Sequence, residues 1–218
     1  MSDMPFEKYE FLAILPPGFL LLSVNYIHFD LKTIFNPENV VHTVSLFIIS
    51  YILGQILAEF SIFIIEGLTK KILGDPVYIL ADKCKSFKMT YLTNYQKPFQ
   101  QPMLKNFNDH LLKENIKDED LSGWAYGVLV SKAKNAQDSS ISSKLQGWQR
   151  LFGFARNCSM ALLLQSIIFF IAYYTTRSEH NIWLGIIALF LSYMLYLRYL
   201  KFFKTYSVEL ICWHILKS

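Results

Sequence analysis

Hydrophobic residues are concentrated in four blocks of the sequence, and polar segments separate the blocks. They span residues 11–29, 44–66, 157–176 and 182–200 and contain 19, 23, 20 and 19 residues. About 20 helical residues, rising 1.5 Å each, cross the ~30 Å hydrocarbon core of a bilayer. The blocks therefore predict four transmembrane helices. The alternative is a soluble bundle with buried helices, but such core helices are usually shorter and amphipathic.

The first block resembles a membrane helix more than a secretory signal. Its leader is acidic overall and holds a single basic residue, Lys8, whereas signal peptides begin with a basic segment. Pro16 and Pro17 lie inside the block, and proline kinks a helix because it lacks a backbone donor. We therefore expect this helix to pack against others, or to be broken near Pro16.

The blocks divide the chain into four parts. Residues 1–66 are predicted to form an N-terminal membrane hairpin, 67–156 a helical cytoplasmic module, 157–200 a C-terminal membrane hairpin and 201–218 a cytoplasmic amphipathic tail. The middle part has no alternating strand pattern. The predicted fold class is an all-α polytopic membrane protein with four transmembrane helices and a helical module between helices two and three.

Several helix signals lie in the cytoplasmic module. Asp75 followed by Pro76 is typical of an N-cap and the first helical position. The segment MLKNFNDHLLKENI predicts a second helix, and DEDLSGWAYGVLVSKAKN predicts a third, capped by Asp118.

The module leads without a proline into helix three, so that residues 139–176 are predicted to form one helix of about 57 Å. Its first half has a heptad seam of Ile141, Leu145, Trp148, Phe152 and Ala155. The seam either packs against other cytoplasmic helices, which we favour, or transmits movement to the membrane.

Basic residues indicate the orientation. Fourteen of the 21 lysines and arginines lie in residues 67–156, against eight acids. The positive-inside rule then places the middle segment and both termini on the cytoplasmic side of the membrane. Anionic lipid headgroups explain the juxtamembrane charge more economically than nucleic acid. The juxtamembrane basic residues are Lys70, Lys71, Arg150, Arg156, Arg198, Lys201 and Lys204.

The sequence contains no motif that predicts catalysis. GxSxG, HExxH, GxGxxG and Walker lysine patterns are absent. Cys84, Cys158 and Cys212 are far apart, and the five histidines are scattered. We therefore expect no enzyme, no cofactor, no metal site and no disulfide framework.

The second block carries two stripes on a helical wheel of ~100° per residue. Gln55, Glu59 and Glu66 fall within about 40° of one another and form an intramembrane polar stripe. An adjacent stripe of small residues resembles the small-xxx-small pattern that lets helix backbones approach. It consists of Ser50, Gly54, Ala58 and Ser61.

Glu59 admits three interpretations, because a charge at its depth costs several kcal/mol unless it is neutral, paired or hydrated. In the first, it is neutral or hydrogen-bonded to a neighbouring helix and helps to hold the bundle together. In the second, it lines with Gln55 a water-filled, cation-selective path formed by several subunits. In the third, it takes part in substrate or lipid chemistry. Arg156 and Asn157 are the best candidate partners for Glu66.

Four stretches resemble a family of small, largely uncharacterised bacterial membrane proteins, some of which are linked to phage defence. They are YEFLAILPPGFLLL, YILGQIL followed by a glutamate, LFGFARNCSMALLL and RYLKFFKTYSVELICWHIL. The general design is similar to that of the KwaA protein of Kiwa, without a motif-level match. The resemblance implies four membrane helices and a cytoplasmic partner that supplies the downstream activity.

Together these features predict a non-enzymatic inner-membrane protein that forms homo-oligomers and acts as a sensor or scaffold. The partners we expect are the lipid bilayer, further copies of the chain and a cytosolic protein, with a role in anti-phage defence. The alternative is a pore-forming or channel-like effector that depolarises the cell.

Overall fold

The computed structural model describes residues 11, 13–28, 40–83, 93–135 and 139–217, all of them helical or in turns and connections, with no strand. The predicted all-α class is thereby confirmed for this part of the chain. In chain order the helical elements are α1 (Leu15–His28), α2 (Val40–Ser61), π1 (Ile62–Glu66), α3 (Gly67–Ile72), α4 (Pro76–Leu80), α5 (Thr93–Gln96), α6 (Gln101–Lys113), a 3₁₀ turn (Asp118–Asp120), α7 (Leu121–Gly123), π2 (Trp124–Leu129), α8 (Val130–Asn135), α9 (Ser139–Thr176) and α10 (Glu179–Lys217).

Three helical stretches are long and apolar enough to cross a membrane. They are Val40–Leu80, Ile141–Thr176 and Glu179–Ile215, and each contains the core of a predicted span. The apolar stretch near the N-terminus, Leu15–Asn25, is shorter. Helix α1 has 14 residues, which correspond to about 21 Å.

The chain divides into two compact units. Unit one contains residues 1–65 and 150–199, and unit two contains residues 66–149 and 200–218. The C-terminal tail and most of the middle segment, which we treated as separate parts of the sequence, therefore belong to one unit.

The two prolines lie at the start of α1. Ile14 is a turn residue, and the helix begins at Leu15, so Pro16 and Pro17 occupy its first turn. Amides of the first turn have no acceptor within the helix, so proline loses nothing there. The turn at Ile14 separates α1 from the helical residues Phe11 and Ala13, as expected for a helix that is broken near Pro16.

Within unit one, α1 and α2 approach each other closely at two glycines. A Cβ added at Gly18 would lie 1.8 Å from the carbonyl oxygen of Ser50, and one at Gly54 would lie 2.1 Å from that of Ile14. Backbone atoms therefore occupy the space that any larger residue would need. The contact requires glycine at both positions.

Helices α9 and α10 form a hairpin that serines join inside unit one. Ser159 Oγ donates to the Ser192 carbonyl at 2.9 Å, and Ser192 Oγ donates to the Ser159 carbonyl at 2.8 Å. At the end of the hairpin, Asn181 Nδ2 donates to Thr176 Oγ1 at 3.1 Å. Both serines are buried, so these bonds replace solvent for the groups involved.

Unit two has its own apolar core. The side chains of Val77, Phe107, Leu121 and Leu129 are completely buried. The predicted cap is confirmed: Asp75 is the N-cap of α4 and accepts a hydrogen bond from the Val77 amide at 2.9 Å, with Pro76 at the first helical position.

The third predicted helix of the module is less regular than its sequence suggested. It is divided into the 3₁₀ turn, α7, π2 and α8. Asp118 is not the N-cap, because Lys117 occupies that position, and the Asp118 carboxylate instead forms an ion pair with Lys83. An ion pair across the unit therefore competes with local capping.

Two helices have residues assigned to both units. The prediction of one continuous helix at 139–176 is confirmed by α9, which has these bounds. Along its seam, Leu145 and Ala155 are buried, and the other three positions are half-buried. Residues 182–200 and the tail, which were expected to be separate, form the single 39-residue helix α10.

Candidate functional site

The polar stripe of α2 has two members in unit one, and they have different surroundings. Gln55 is half-buried, and its Nε2 donates to the Tyr51 hydroxyl at 2.9 Å on the same helix. Glu59 is exposed and has no recorded hydrogen bond or ion pair with another described residue. The glutamine is therefore satisfied locally, whereas the carboxylate is available to something outside the described chain.

Exposed apolar side chains lie near Glu59 in the sequence. On α2, Ile52, Ile56 and Phe60 are 52%, 48% and 53% exposed, and Phe63, in π1, is 81% exposed. A surface of this kind is suited to lipid or to another apolar helix, and a carboxylate within it is suited to neither unless it gains a partner. Glu59 is the residue of the predicted stripe that most needs an explanation.

Glu66 lies beyond a change in helix geometry. The α-helical hydrogen-bond pattern of α2 gives way to π1 at Ile62–Glu66, where bonds run from i to i+5. A projection at ~100° per residue does not hold across that segment, so the wheel that grouped Glu66 with Gln55 and Glu59 is not valid there. Glu66 is half-buried and forms an ion pair with Lys70 at 2.9 Å.

The small-residue stripe faces the interior of unit one. Ser50, Gly54 and Ser61 are buried and Ala58 is half-buried. Ser50 and Gly54 make the close approach to α1 described above. These positions are thus used for packing within the chain, which leaves the Glu59 face of α2 exposed.

Ser61 also belongs to a buried polar cluster of unit one. Ser61 Oγ donates to Asn157 Oδ1, and Asn157 Nδ2 donates to the Ala13 carbonyl at 2.8 Å. Arg156 Nε donates to Ser61 Oγ at 3.0 Å, although only 3% of the Arg156 residue surface is exposed. The cluster joins α9 to α2 and to the segment before α1. The pairing of Glu66 with Arg156 and Asn157 remains a prediction.

The predicted juxtamembrane basic residues differ widely in exposure. Lys71, Arg198 and Lys201 are exposed, and Lys70, Arg150 and Lys204 are half-buried. Lys204 Nζ donates to the Lys97 carbonyl at 2.6 Å. The exposed members are therefore the most accessible of the set, and Arg156 is buried.

Asp75 lies at the centre of a polar cluster in unit two. Besides capping α4, it accepts hydrogen bonds from Ser122 Oγ and Tyr126 Oη, both at 3.3 Å, and Lys70 Nζ lies 3.8 Å from its Oδ2. The Lys70 ammonium also lies 5.4 Å from the centre of the Tyr126 ring. The cluster satisfies a buried carboxylate and so connects α3, α4 and π2.

Tyr126 is strongly perturbed in this cluster. Burial raises the pKa of its hydroxyl well above the usual value, and the negative charge of Asp75 raises it further. The hydroxyl also lies 3.0 Å from Ser207 Oγ. It is therefore a neutral hydrogen-bonding group at physiological pH.

A second polar cluster of unit two brings together two histidines and a glutamate. His214 Nε2 lies 3.3 Å from Glu114 Oε1, and His110 Nε2 lies 3.4 Å from the same oxygen. The ligating atoms of the three side chains all lie within 4.8 Å of one another. The side chains of His110 and His214 are 11% and 9% exposed.

The remaining contacts of Glu114 fix its orientation. Trp124 Nε1 donates to Oε2 at 2.9 Å, and Lys132 Nζ lies 3.5 Å from Oε1. Burial raises the pKa of the Glu114 carboxyl, but the hydrogen bond from Trp124, the charge of Lys132 and the hydrogen bond from His214 outweigh it. The pKa is therefore lower than its ordinary value.

The sequence contained only half of the signal for this cluster. His110 and Glu114 are four residues apart and so lie on one face of α6. His214 is 100 residues further along the chain from Glu114, and no local pattern connects it to them. Scattered histidines suggested no metal site, whereas the fold of unit two brings two of them together.

Comparison of the chain with protein-family models, with curated proteins and with solved structures gives no match. Function must therefore be argued from the residues themselves.

Proposed function

We propose that this chain is a non-enzymatic, oligomeric protein of the bacterial inner membrane that acts as a sensor or scaffold together with a cytosolic partner. The resemblance described above favours a role in anti-phage defence. In this proposal residues 67–156 and both termini lie in the cytoplasm.

Three helical stretches with the length and apolarity of membrane spans support the membrane location. We propose α1, with the residues around it, as the fourth span, because its contact with α2 at Gly18 and Gly54 is of the close glycine type found between membrane helices. Four spans agree with the distribution of basic residues, which places residues 67–156 and the termini on the same side.

The observation that carries the oligomer is the exposed Glu59. An acidic residue at the centre of a membrane helix costs about 2.5–3.5 kcal/mol on insertion scales. Glu59 lies among exposed apolar side chains such as Phe60 and Phe63, and its helix already packs on α1 through the adjacent stripe of small residues. A second copy of α2 covers this face and supplies a polar partner, for example Gln55, which lies one turn away.

The separately packed unit two supports a role in contact with a partner. It has its own buried core, and its surface includes Leu112, which is 79% exposed on α6. Since no catalytic motif was found in the sequence, binding is a more economical role for this unit than chemistry.

The oligomer is tested by replacing Phe63, the most exposed apolar residue near Glu59, with cysteine in a variant that lacks Cys84, Cys158 and Cys212. Oxidation in native membranes should join two copies through this position. The control is Ile186→Cys on α10, which is 45% exposed on a different helix. The proposal would be contradicted if Phe63→Cys formed no more crosslinked dimer than Ile186→Cys and the protein had a monomeric mass in lipid nanodiscs.

The partner is tested by proximity labelling with the full chain in its own cells. The proteins that lie near the chain are labelled, purified and identified. A Leu112→Asp variant should lose a cytosolic protein that the wild type retains, while its oligomer remains intact. Identical sets of labelled proteins for the two chains would count against a partner at this surface.

The alternative function, a pore or channel that depolarises the cell, is favoured by the same exposed carboxylate. If several copies of Glu59 face water and not one another, the wild type conducts cations in liposomes and Glu59→Gln reduces the flux. Glu179, exposed at the start of α10 outside the predicted spans, provides the matched control in Glu179→Gln. The absence of flux from the wild type under every trigger tested would eliminate the pore.

A further inference from the structure

We infer that His110, Glu114 and His214 form a binding site for a divalent transition metal ion of the zinc class. The site lies within unit two, and its ligands come from α6 and from the C-terminal part of α10. This inference does not depend on the proposed function.

The spacing of the donor atoms is the first argument. Zinc–nitrogen and zinc–oxygen bonds are about 2.0–2.2 Å long, so neighbouring ligands of a tetrahedral ion are about 3.3–3.5 Å apart. The two histidine nitrogens lie 3.3 and 3.4 Å from Glu114 Oε1. Two edges of the tetrahedron therefore have the required length, and the third separation is no longer than 4.8 Å.

The kinds of ligand form the second argument. Two imidazoles and one carboxylate suit zinc, nickel, copper or iron better than magnesium or calcium, which prefer oxygen ligands alone. Three protein ligands leave a fourth position for water or for another group. Both histidine rings are largely buried, which limits the freedom that binding would have to remove.

Support from neighbouring residues is the third argument. Trp124 Nε1 donates a hydrogen bond to Glu114 Oε2 at 2.9 Å, so the other carboxylate oxygen is turned toward the histidines. Hydrogen bonds of this kind orient metal ligands, and their loss typically lowers metal affinity about 10–100-fold. Trp124 is thus a positioning residue of the site.

Lys132 allows a metal site to be distinguished from a metal-free cluster in which Glu114 is held only by hydrogen bonds and ion pairs. Its ammonium lies 3.5 Å from Glu114 Oε1 and competes with a cation for that oxygen, and nearly half of its side chain is exposed. Removal of this charge should strengthen metal binding. Loss of the Lys132 charge should instead weaken a metal-free cluster that depends only on contacts with Glu114.

The experiment uses the full chain in detergent, stripped with a chelator and titrated with Co²⁺, whose visible absorption reports tetrahedral coordination. We expect one Co²⁺ per chain, displaced by Zn²⁺, with an affinity at least 10-fold lower in His214→Ala and in Glu114→Gln. Lys132→Met should bind several-fold more tightly. His180→Ala, at an exposed residue of unit one, is the control and should bind like the wild type.

Two results would overturn the inference. One is an equal Co²⁺ affinity in the wild type, His214→Ala and Glu114→Gln. The other is a sulfur-to-cobalt charge-transfer band, which would assign the ion to a cysteine. Glu114→Gln keeps the shape of the side chain and its acceptor for Trp124, so the comparison stands even if His214→Ala fails to fold.

Discussion

At the scale of single residues, polar and small side chains have the clearest roles. Asn157 connects three segments of unit one, Asp75 both caps a helix and anchors a cluster, and Glu114 accepts from a tryptophan and faces two histidines. Gly18 and Gly54 act through the absence of a side chain, because it lets the backbones of α1 and α2 come into contact. Two consequences can be measured on single substitutions.

Gly54→Ala should destabilise the protein, because the new methyl group would lie 2.1 Å from the Ile14 carbonyl oxygen and backbone atoms cannot rotate away. We expect a loss of about 1–3 kcal/mol, as for other overpacked sites. Gly147→Ala is the matched control. A Cβ at Gly147 meets nothing within 4 Å, so the higher helix propensity of alanine should stabilise α9 by about 1 kcal/mol. Thermal unfolding in one detergent measures both, and a loss of equal size in both variants would contradict the role of Gly54.

Tyr126 should make stability sensitive to high pH. Its pKa is raised in the folded state by burial and by Asp75, so the stabilisation is present below about pH 10, the ordinary tyrosine value, and is lost as the pH rises above it. Tyr126→Phe removes the titrating group. We therefore expect the variant to lose less stability than the wild type between pH 9 and 11, measured by denaturant unfolding in the same detergent. Parallel curves for the two proteins would show that Tyr126 does not carry this dependence.

At the scale of elements, serine hydroxyls fasten the α9–α10 hairpin. Ser159 and Ser192 each donate to the carbonyl of the other, at a place where two helices expected to cross a membrane meet. Hydrogen bonds between membrane helices average about 0.6 kcal/mol in mutational cycles. The hairpin therefore depends on several modest contacts.

Ser192→Ala and Ser159→Ala should each lower stability by about 0.6 kcal/mol, because each removes one bond between the helices. Ser166→Ala is the control, since the buried Ser166 hydroxyl bonds only to the Leu163 carbonyl of its own helix at 2.9 Å. Its substitution should change stability much less. Equal effects of all three in chemical unfolding would mean that the serines act only through packing volume.

Prediction from the sequence succeeded where the signal was local. The structure confirms the continuous helix that was predicted at 139–176, and it confirms the helix start that was predicted at Asp75 and Pro76. The prediction that Asp118 is an N-cap was wrong. Lys117 occupies that position, and the Asp118 carboxylate forms an ion pair with the distant Lys83. Prediction from the sequence also missed the two π segments, whose hydrogen-bond pattern has no simple signature in residue type.

The candidate sites were harder to predict for a related reason. Small residues on α2 were identified from their spacing, but the helix that they contact, α1, was not. His214 reaches Glu114 only because the tail continues α10 as a helix and folds into unit two. Contacts between residues far apart in the chain depend on tertiary structure, which periodicity along one element does not encode.

At the scale of the whole molecule, the number of membrane crossings determines where the two termini lie. Three stretches have the length required, and α1 is the proposed fourth. An even number of crossings places both termini on one side, whereas an odd number separates them. The orientation is therefore directly measurable.

We expect a cysteine at position 178, between α9 and α10, to react with a membrane-impermeant maleimide from outside the cell. A cysteine at position 118 of unit two should react only after permeabilisation, and so should one introduced at position 3. Each substitution is made in a variant without the native cysteines. Labelling of position 3 but not of position 118 in intact cells would indicate three crossings, and labelling of position 118 would reverse the proposed orientation.

The polar cluster around Asn157 implies an order of events during synthesis. The contact between α1 and α2 uses residues 14–54, so all of its residues are synthesised well before Asn157. The bond from Asn157 to the Ala13 carbonyl spans 144 positions of the chain. At ~5–20 residues per second of translation, the N-terminal pair has several seconds to form before α9 arrives. Asn157 is therefore the last member of the cluster to be synthesised, and a ribosome stalled before that codon would hold a nascent chain in which Ser61 still lacks this partner.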